Sequence, residues 1–178
     1  MTIFENDRLP SENRVTAHAL VDRLNAGEPY AVVFGGQGHS SWVSSLEEIV
    51  TTAGIESELA RVVGDAEVLL APVADELVVV RPVGFAPLSW ARALAGGETV
   101  PADMTSAAVS VPGVLLTQIA ATRALIRQGL EFDTAPPVAL AGHSQGVLAV
   151  EAFKAGGARD VELLALAQLI GEIGRAHV

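Results

Sequence analysis

The chain of 178 residues has no cysteine, which excludes a disulfide framework, a thiolate nucleophile and any Cys-ligated metal site. Basic residues are also scarce. Eleven Lys and Arg stand against 21 Asp and Glu, giving a net charge of −10 with no basic cluster, so no nucleic-acid surface is expected. The N-terminus, Met1-Thr2-Ile3-Phe4-Glu5-Asn6-Asp7, lacks the basic, apolar and small-residue layout of a secretory signal. No clean apolar run spans a bilayer, because Gln118 and Arg123 interrupt the segment 111–126. A cytoplasmic protein without a membrane partner is the expectation. Aromatic residues make up only 4%, and Trp42 and Trp90 are read as core packing residues and not as ligand platforms, since nothing polar is arranged around them. Half of the residues are hydrophobic, which is ample for one domain.

Glycine, by contrast, is plentiful, and two glycine-rich stretches carry the chemical information. Val138 to Ala141 is a short apolar run that enters Gly142-His143-Ser144-Gln145-Gly146, and an amphipathic segment follows. That pattern reads as strand, tight turn and helix, with a hydroxyl at the tip of the turn. Unpaired N–H groups at the start of the helix favour negative charge beside that hydroxyl. Gly142 and Gly146 flank the serine because Cβ atoms there would collide where strand and helix pack closely. The second stretch, Gly35-Gly36-Gln37-Gly38-His39-Ser40, follows the apolar run Tyr30 to Phe34, read as a parallel strand covered on both faces. A phosphate cradle fails both templates: no Lys-Ser/Thr follows, and Gly36-x-Gly38-x-x ends on Ser41.

The rest of the chain reads as helices joined by breakers. Residues 1–13 form a polar, mobile lead-in. Helices are predicted over Arg14 to Ala26, Trp42 to Thr52, Ile55 to Val63 with Gly64 as the stop, and Leu88 to Ala95. Between Val68 and Val80 the pattern is ambiguous and leans to helix. The longest helix should start at Ser110 or Val111, keep Pro112 in its first turn and reach Gly129. A helix over 145–155 follows the turn, and Asp160 is a plausible N-cap for a last one, Val161 to Ile170. Alternating strands and helices with no repeat or linker make one α/β unit with a parallel sheet.

A serine on such a turn needs a base and a pair of N–H donors for the oxyanion. The N–H of Gln145 is one candidate donor, and the Gly36–Gly38 loop is the obvious supplier of the other. Parallel strands send their C-terminal ends to one edge, where both loops can face a single crevice. Phe34-Gly35-Gly36-Gln37-Gly38, followed later by Gly142-His143-Ser144-Gln145-Gly146, resembles the acyl-carrier-protein transacylases. In particular it is similar to the N-terminal acetyltransferase domain of type I fatty acid synthases, in the fused single-chain form of mycobacteria and related actinobacteria. The likeness runs from about Ala17 to Gly171.

The resemblance implies an α/β-hydrolase-like, three-layer core, incomplete here because the later strands and a ferredoxin-like subdomain are lacking. It implies Ser144 as the acylated nucleophile, with the backbone N–H groups of Gln37 and Gln145 as the oxyanion hole. Gly36, Gly38, His143 and Ile170 would border the acyl pocket. Acetyl would pass from coenzyme A to the serine and then to the phosphopantetheine thiol of an acyl carrier protein, with no cofactor resident in the domain. Partners would be the carrier protein and other synthase domains, in an enzyme that is homo-oligomeric at full length. Malonyl-selective relatives carry an arginine where this chain has Ile170, so an uncharged acyl group is expected.

His143 reads as a packed or structural histidine, and neither His18 nor His39 is a convincing base. The family's base lies farther downstream than this chain reaches, so the polypeptide alone is expected to turn over little. The closing Ile173-Gly174-Arg175-Ala176-His177-Val178 translates a common sequencing-library adapter. Residues 172–178 are therefore expected to be a scar, leaving 14–171 as the domain, and His177 is set aside. Two rival readings stand beside this one. An esterase or lipase shares the turn but needs an acid and a histidine after the serine, and no credible pair follows. A structural or carrier-docking fragment would keep the turn without chemistry.

Overall fold

The computed structural model describes residues 17–36, 41–73, 84–100 and 102–176. Outside them fall the lead-in 1–13, the predicted helix start at Arg14, the loop residues Gln37, Gly38 and His39, the ambiguous segment 74–80, and His177. The described chain is mixed α/β. Its elements are α1 (Ala17–Asn25), β1 (Ala31–Phe34), α2 (Trp42–Ala53), α3 (Glu56–Leu70) and α4 (Pro87–Ala95), then α5 (Ala107–Arg127), β2 (Ala139–Gly142), α6 (Gly146–Lys154) and α7 (Asp160–Ala176).

The two strands form a small parallel sheet, with Ala31 opposite Ala139 and Phe34 opposite Gly142. Its ladder is bracketed by Val138 N–H donating to the Tyr30 carbonyl at 2.9 Å and His143 N–H to the Phe34 carbonyl at 3.0 Å. Only one face is covered. Val32 and Phe34 turn into the core, where the Phe34 ring lies 6.0 Å from that of Phe153 on α6. Val33, on the other face, is 55% exposed, and Ala31, Ala139 and Ala141 are exposed with it. The expectation that both faces of this strand are buried is thus corrected: no described element packs on the second face. Among the described residues the sheet and its helices make two layers.

One aliphatic core joins α2, α3, α4, α5, α6 and α7 to the inner face of the sheet. Trp42 and Trp90 lie in it, as expected, at 4% and 5% exposure. A smaller cluster of Val21, Leu24, Leu125 and Leu130 docks α1 on the C-terminal end of α5. There the Asn25 amide donates to the Gly129 carbonyl at 2.7 Å and the Tyr30 hydroxyl to that of Ala135 at 2.6 Å. The end of α5 therefore lies beside the start of the strands, and its N-terminal part lies toward the edge at which the strands finish.

Several predicted boundaries move, each for a tertiary reason. Gly64 does not stop its helix: α3 continues to Leu70 because Leu59, Val62, Ala66 and Leu70 keep one buried face through it. That burial outweighs a glycine penalty of about 1 kcal/mol. The longest helix starts at Ala107, which puts Pro112 inside it and not in the first turn. An interior proline costs ~3 kcal/mol, offset here because Val109, Val111, Leu115 and Leu116 are all buried around it. By length and composition α5 could cross a bilayer, yet two thirds of its most apolar window is buried inside the fold. Asp160 is the first residue of α7, and its carboxylate goes to Arg123, with no cap bond to its own helix. Finally, α7 runs on to Ala176, past Ile170, with Gly171 and Glu172 buried.

Candidate active site

The turn after β2 follows from three local constraints. Ser144 has φ 55°, and it is the only non-glycine residue with positive φ among the described residues. An L-residue in this region is strained, and such strain persists where surrounding packing enforces it. The flanking glycines supply that packing. A Cβ on Gly142 would lie 2.6 Å from the carbonyl carbon of Gly146, and a Cβ on Gly146 would run into the Phe34 carbonyl. Strand and helix therefore cross closer than any side chain permits, and the serine is pushed out at the tip, exposed. The Gly146 N–H closes the turn onto the His143 carbonyl at 2.9 Å.

The first glycine stretch meets this turn at the same sheet edge. A Cβ on Gly36 would sit 2.8 Å from Ser144 Cβ, 2.9 Å from the His143 carbonyl oxygen and 3.3 Å from His143 Nδ1. Gly36, His143, Ser144 and Gln145 are thus brought together. Gln37 and Gly38 lie outside the described residues, so the geometry of a second oxyanion donor is not on view. The first candidate donor is: among the described residues the Gln145 N–H donates to no acceptor, and it stands at the N-terminus of α6. An unpaired amide there, with the helix dipole behind it, suits a developing negative charge. Both polar atoms of the Gln145 side chain are buried with no partner, a further cost borne at this turn.

Of the two roles expected for His143, packed or structural, the first is corrected. Its side chain is exposed, not packed, although its main-chain N–H and carbonyl both serve the turn. Among the described residues no side chain hydrogen-bonds Ser144 Oγ. Ile170 lies on α7, 44% exposed. Because Asp160 meets Arg123 and Gly171 meets the Ala107 carbonyl, α7 runs antiparallel to α5. Ile170 is therefore at the end of α7 nearer the edge that carries Ser144.

Two features escaped the sequence reading, one at the site and one away from it. Gln118, in the middle of α5, donates from Nε2 to the Gly35 carbonyl at 2.8 Å, while its Oε1 is buried without a donor. Its signal was a polar residue inside a mainly apolar stretch of helix. The other is an ion cluster away from the turn. Arg123 pairs with Glu58 of α3 and with Asp160, its Nε lying 2.9 Å from Asp160 Oδ2. Asp160 is 3% exposed. Burial pushes its carboxyl above the usual range, outweighing the opposing pull of Arg123. A cavity of about 850 Å3 opens beside this cluster, lined by Arg123, Phe132, Phe153 and Asp160 among others. No residue of the serine turn lines it, so the geometry of the turn, and not the size of a cavity, locates the candidate site. The sequence matches no protein-family model and no curated protein.

Proposed function

We propose that Ser144 is the nucleophile of an acyltransferase of the acyl-carrier-protein transacylase kind, built on an α/β-hydrolase-like core. One observation carries this reading: Gly36 lies directly against Ser144, so two remote glycine loops share a single sheet edge. A serine held at positive φ beside an unpaired helix-terminal amide is arranged for attack on a carbonyl, with a donor ready for the oxyanion.

In the proposed reaction Ser144 Oγ attacks the thioester carbonyl of acetyl-CoA. A C–O bond forms, the C–S bond breaks, and the hydroxyl proton passes through a general base to the departing thiolate, giving free coenzyme A. A carrier-protein pantetheine thiol then attacks the acyl-serine. The new thioester forms as the ester breaks, and the proton of the pantetheine thiol passes through the base to Ser144 Oγ. By resemblance the base is a histidine carried elsewhere in the parent enzyme. An uncharged acyl group fits the apolar Ile170 better than malonyl does.

A single-turnover assay tests this, because loss of one triad member still leaves ~10³–10⁴-fold catalysis over water. Incubated with acetyl-CoA labelled in the acetyl group, the protein should gain one label on Ser144 and release it to a pantetheinylated carrier protein. Ser144→Ala should abolish both events. Release to water alone would favour a hydrolase, and carrier loading indifferent to Ser144→Ala would overturn the proposal.

A further inference from the structure

We infer that Gln118 is a positioning residue for this site: its carboxamide holds the Gly35 peptide and so seats Gly36 against Ser144. The inference rests on the acyl-transfer reading for its consequence, but its geometry stands apart from it. The parallel ladder ends with the Phe34 carbonyl, which is taken by the His143 N–H. Gly35 is the first residue beyond it, and among the described residues its carbonyl accepts only from Gln118 Nε2. The peptide plane that contains this carbonyl also contains the Gly36 N–H, on its opposite side. Fixing one direction fixes the other, and with it the seat of Gly36 against Ser144.

The cost of the arrangement argues that the amide is there for orientation. A carbonyl can face only the NH2 end of a carboxamide, so Gln118 Oε1 must point away, where it is buried and unpaired. An apolar side chain of the same reach would avoid that penalty and fill the space equally well. There is also little room for the peptide to drift. A Cβ on Gly36 would already lie 2.8 Å from Ser144 Cβ, and one on Gly146 would lie 2.9 Å from the Gly35 oxygen. Rotation at Gly35 would therefore be felt at both the nucleophile and the first turn of α6.

Gln118→Met removes the donor while keeping length and apolar volume, and Gln118→Glu sets a carboxylate against the Gly35 carbonyl. In both, single-turnover acylation of Ser144 by acetyl-CoA should slow by about 10- to 100-fold, with the half-saturating acetyl-CoA concentration unchanged. The ¹⁵N order parameter of Gly36 should fall from about 0.85 toward 0.6 or below. The urea midpoint of the Met variant should not drop. A purely structural role would give the reverse: a lower midpoint with rate and order parameter intact. A Met variant that acylates at the wild-type rate with Gly36 equally rigid overturns the inference. If the wild type itself leaves Ser144 unacylated, the acyl-transfer reading falls, while the Gly36 order parameters still decide whether Gln118 acts as the clamp.

Discussion

Placing a methyl group at Gly36 tests the central contact without assuming any activity. Neither Gly35 nor Gly36 has positive φ, so alanine is compatible with the backbone at both positions and only space distinguishes them. At Gly36 the new Cβ would lie 2.8 Å from Ser144 Cβ and 2.9 Å from the His143 oxygen, whereas at Gly35 it meets nothing within 4 Å. Carbon atoms prefer separations of roughly 3.5–4.0 Å. The gap at Gly36 is therefore short by about 0.7–1.2 Å against that range, and the nearest obstacles are the rigid strand end and the Cβ of a strained residue. Neither is a flexible side-chain tip that could swing away. Overpacking of this kind costs about 1–3 kcal/mol. With a urea dependence of roughly 1–3 kcal/mol per molar, the midpoint of Gly36→Ala should fall by about 1 M. The expected change for Gly35→Ala is within about 0.5 kcal/mol of zero. Equilibrium urea unfolding followed by far-UV circular dichroism measures both. Equal midpoints for the two variants would mean that Gly36 does not abut Ser144, and the shared sheet edge would be lost with it.

Four further outcomes follow from the same coordinates. Ser144→Gly should raise stability by about 1 kcal/mol, because glycine takes φ 55° without the steric penalty that serine bears, and thermal unfolding reads this directly. Gly64→Ala should also stabilise, by about 0.5–1 kcal/mol, since it sits inside α3 with nothing within 4 Å of its would-be Cβ; chemical denaturation checks it. Arg123→Met should cost about 3–5 kcal/mol by leaving the Asp160 carboxylate buried without its cation, and Arg123→Met with Asp160→Asn should recover part of the loss in urea unfolding. The raised Asp160 carboxyl gives an unusual pH dependence. Its protonated form favours the fold, so its contribution is full below the unfolded value near ~3.9 and is lost as pH rises through the raised one. Asp160→Asn, which cannot titrate, should therefore gain on the wild type as pH rises above about 4. A stability difference that stays flat across this range would contradict that assignment.

What could be read from residues alone was whatever depends on near neighbours. The turn at Ser144 was legible because its steric rule is written within five residues: two glycines, two residues away on either side, let strand and helix touch. Gly36 was legible as a close approach, and the parallel-strand rule put its loop on the same edge as Ser144; the contact distance itself was not legible, since the partner is far along the chain. The helix boundaries missed at Gly64 and Pro112 share one cause. Each residue disfavours helix locally, and each is overruled by a buried face that only the tertiary arrangement creates. Asp160 carried a valid capping signal, but a half-buried guanidinium on another helix proved the stronger partner. The open face of β1 was hidden for a different reason. An apolar run says that a strand avoids water, whereas what covers it depends on elements whose sequence gives no hint of their position.

Gln118 shows how a polar residue on an apolar helix is to be weighed. In sequence it served only to interrupt a hydrophobic segment, since Leu115 and Ile119 on either side are fully apolar and buried. In the fold that interruption is, among the described residues, the one hydrogen-bond donor that α5 extends to the end of β1. A helix that merely packed on the sheet would need no such group, and burying the unpaired Oε1 works against stability. The physical case for the proposed chemistry at this edge therefore rests on costs that coincide: a serine at positive φ, two half-buried glutamines with buried unpaired amide atoms and a glycine contact too close for a methyl group. Folding by itself would select against each of them, and their meeting at one strand edge is what a site held ready for a reacting carbonyl requires.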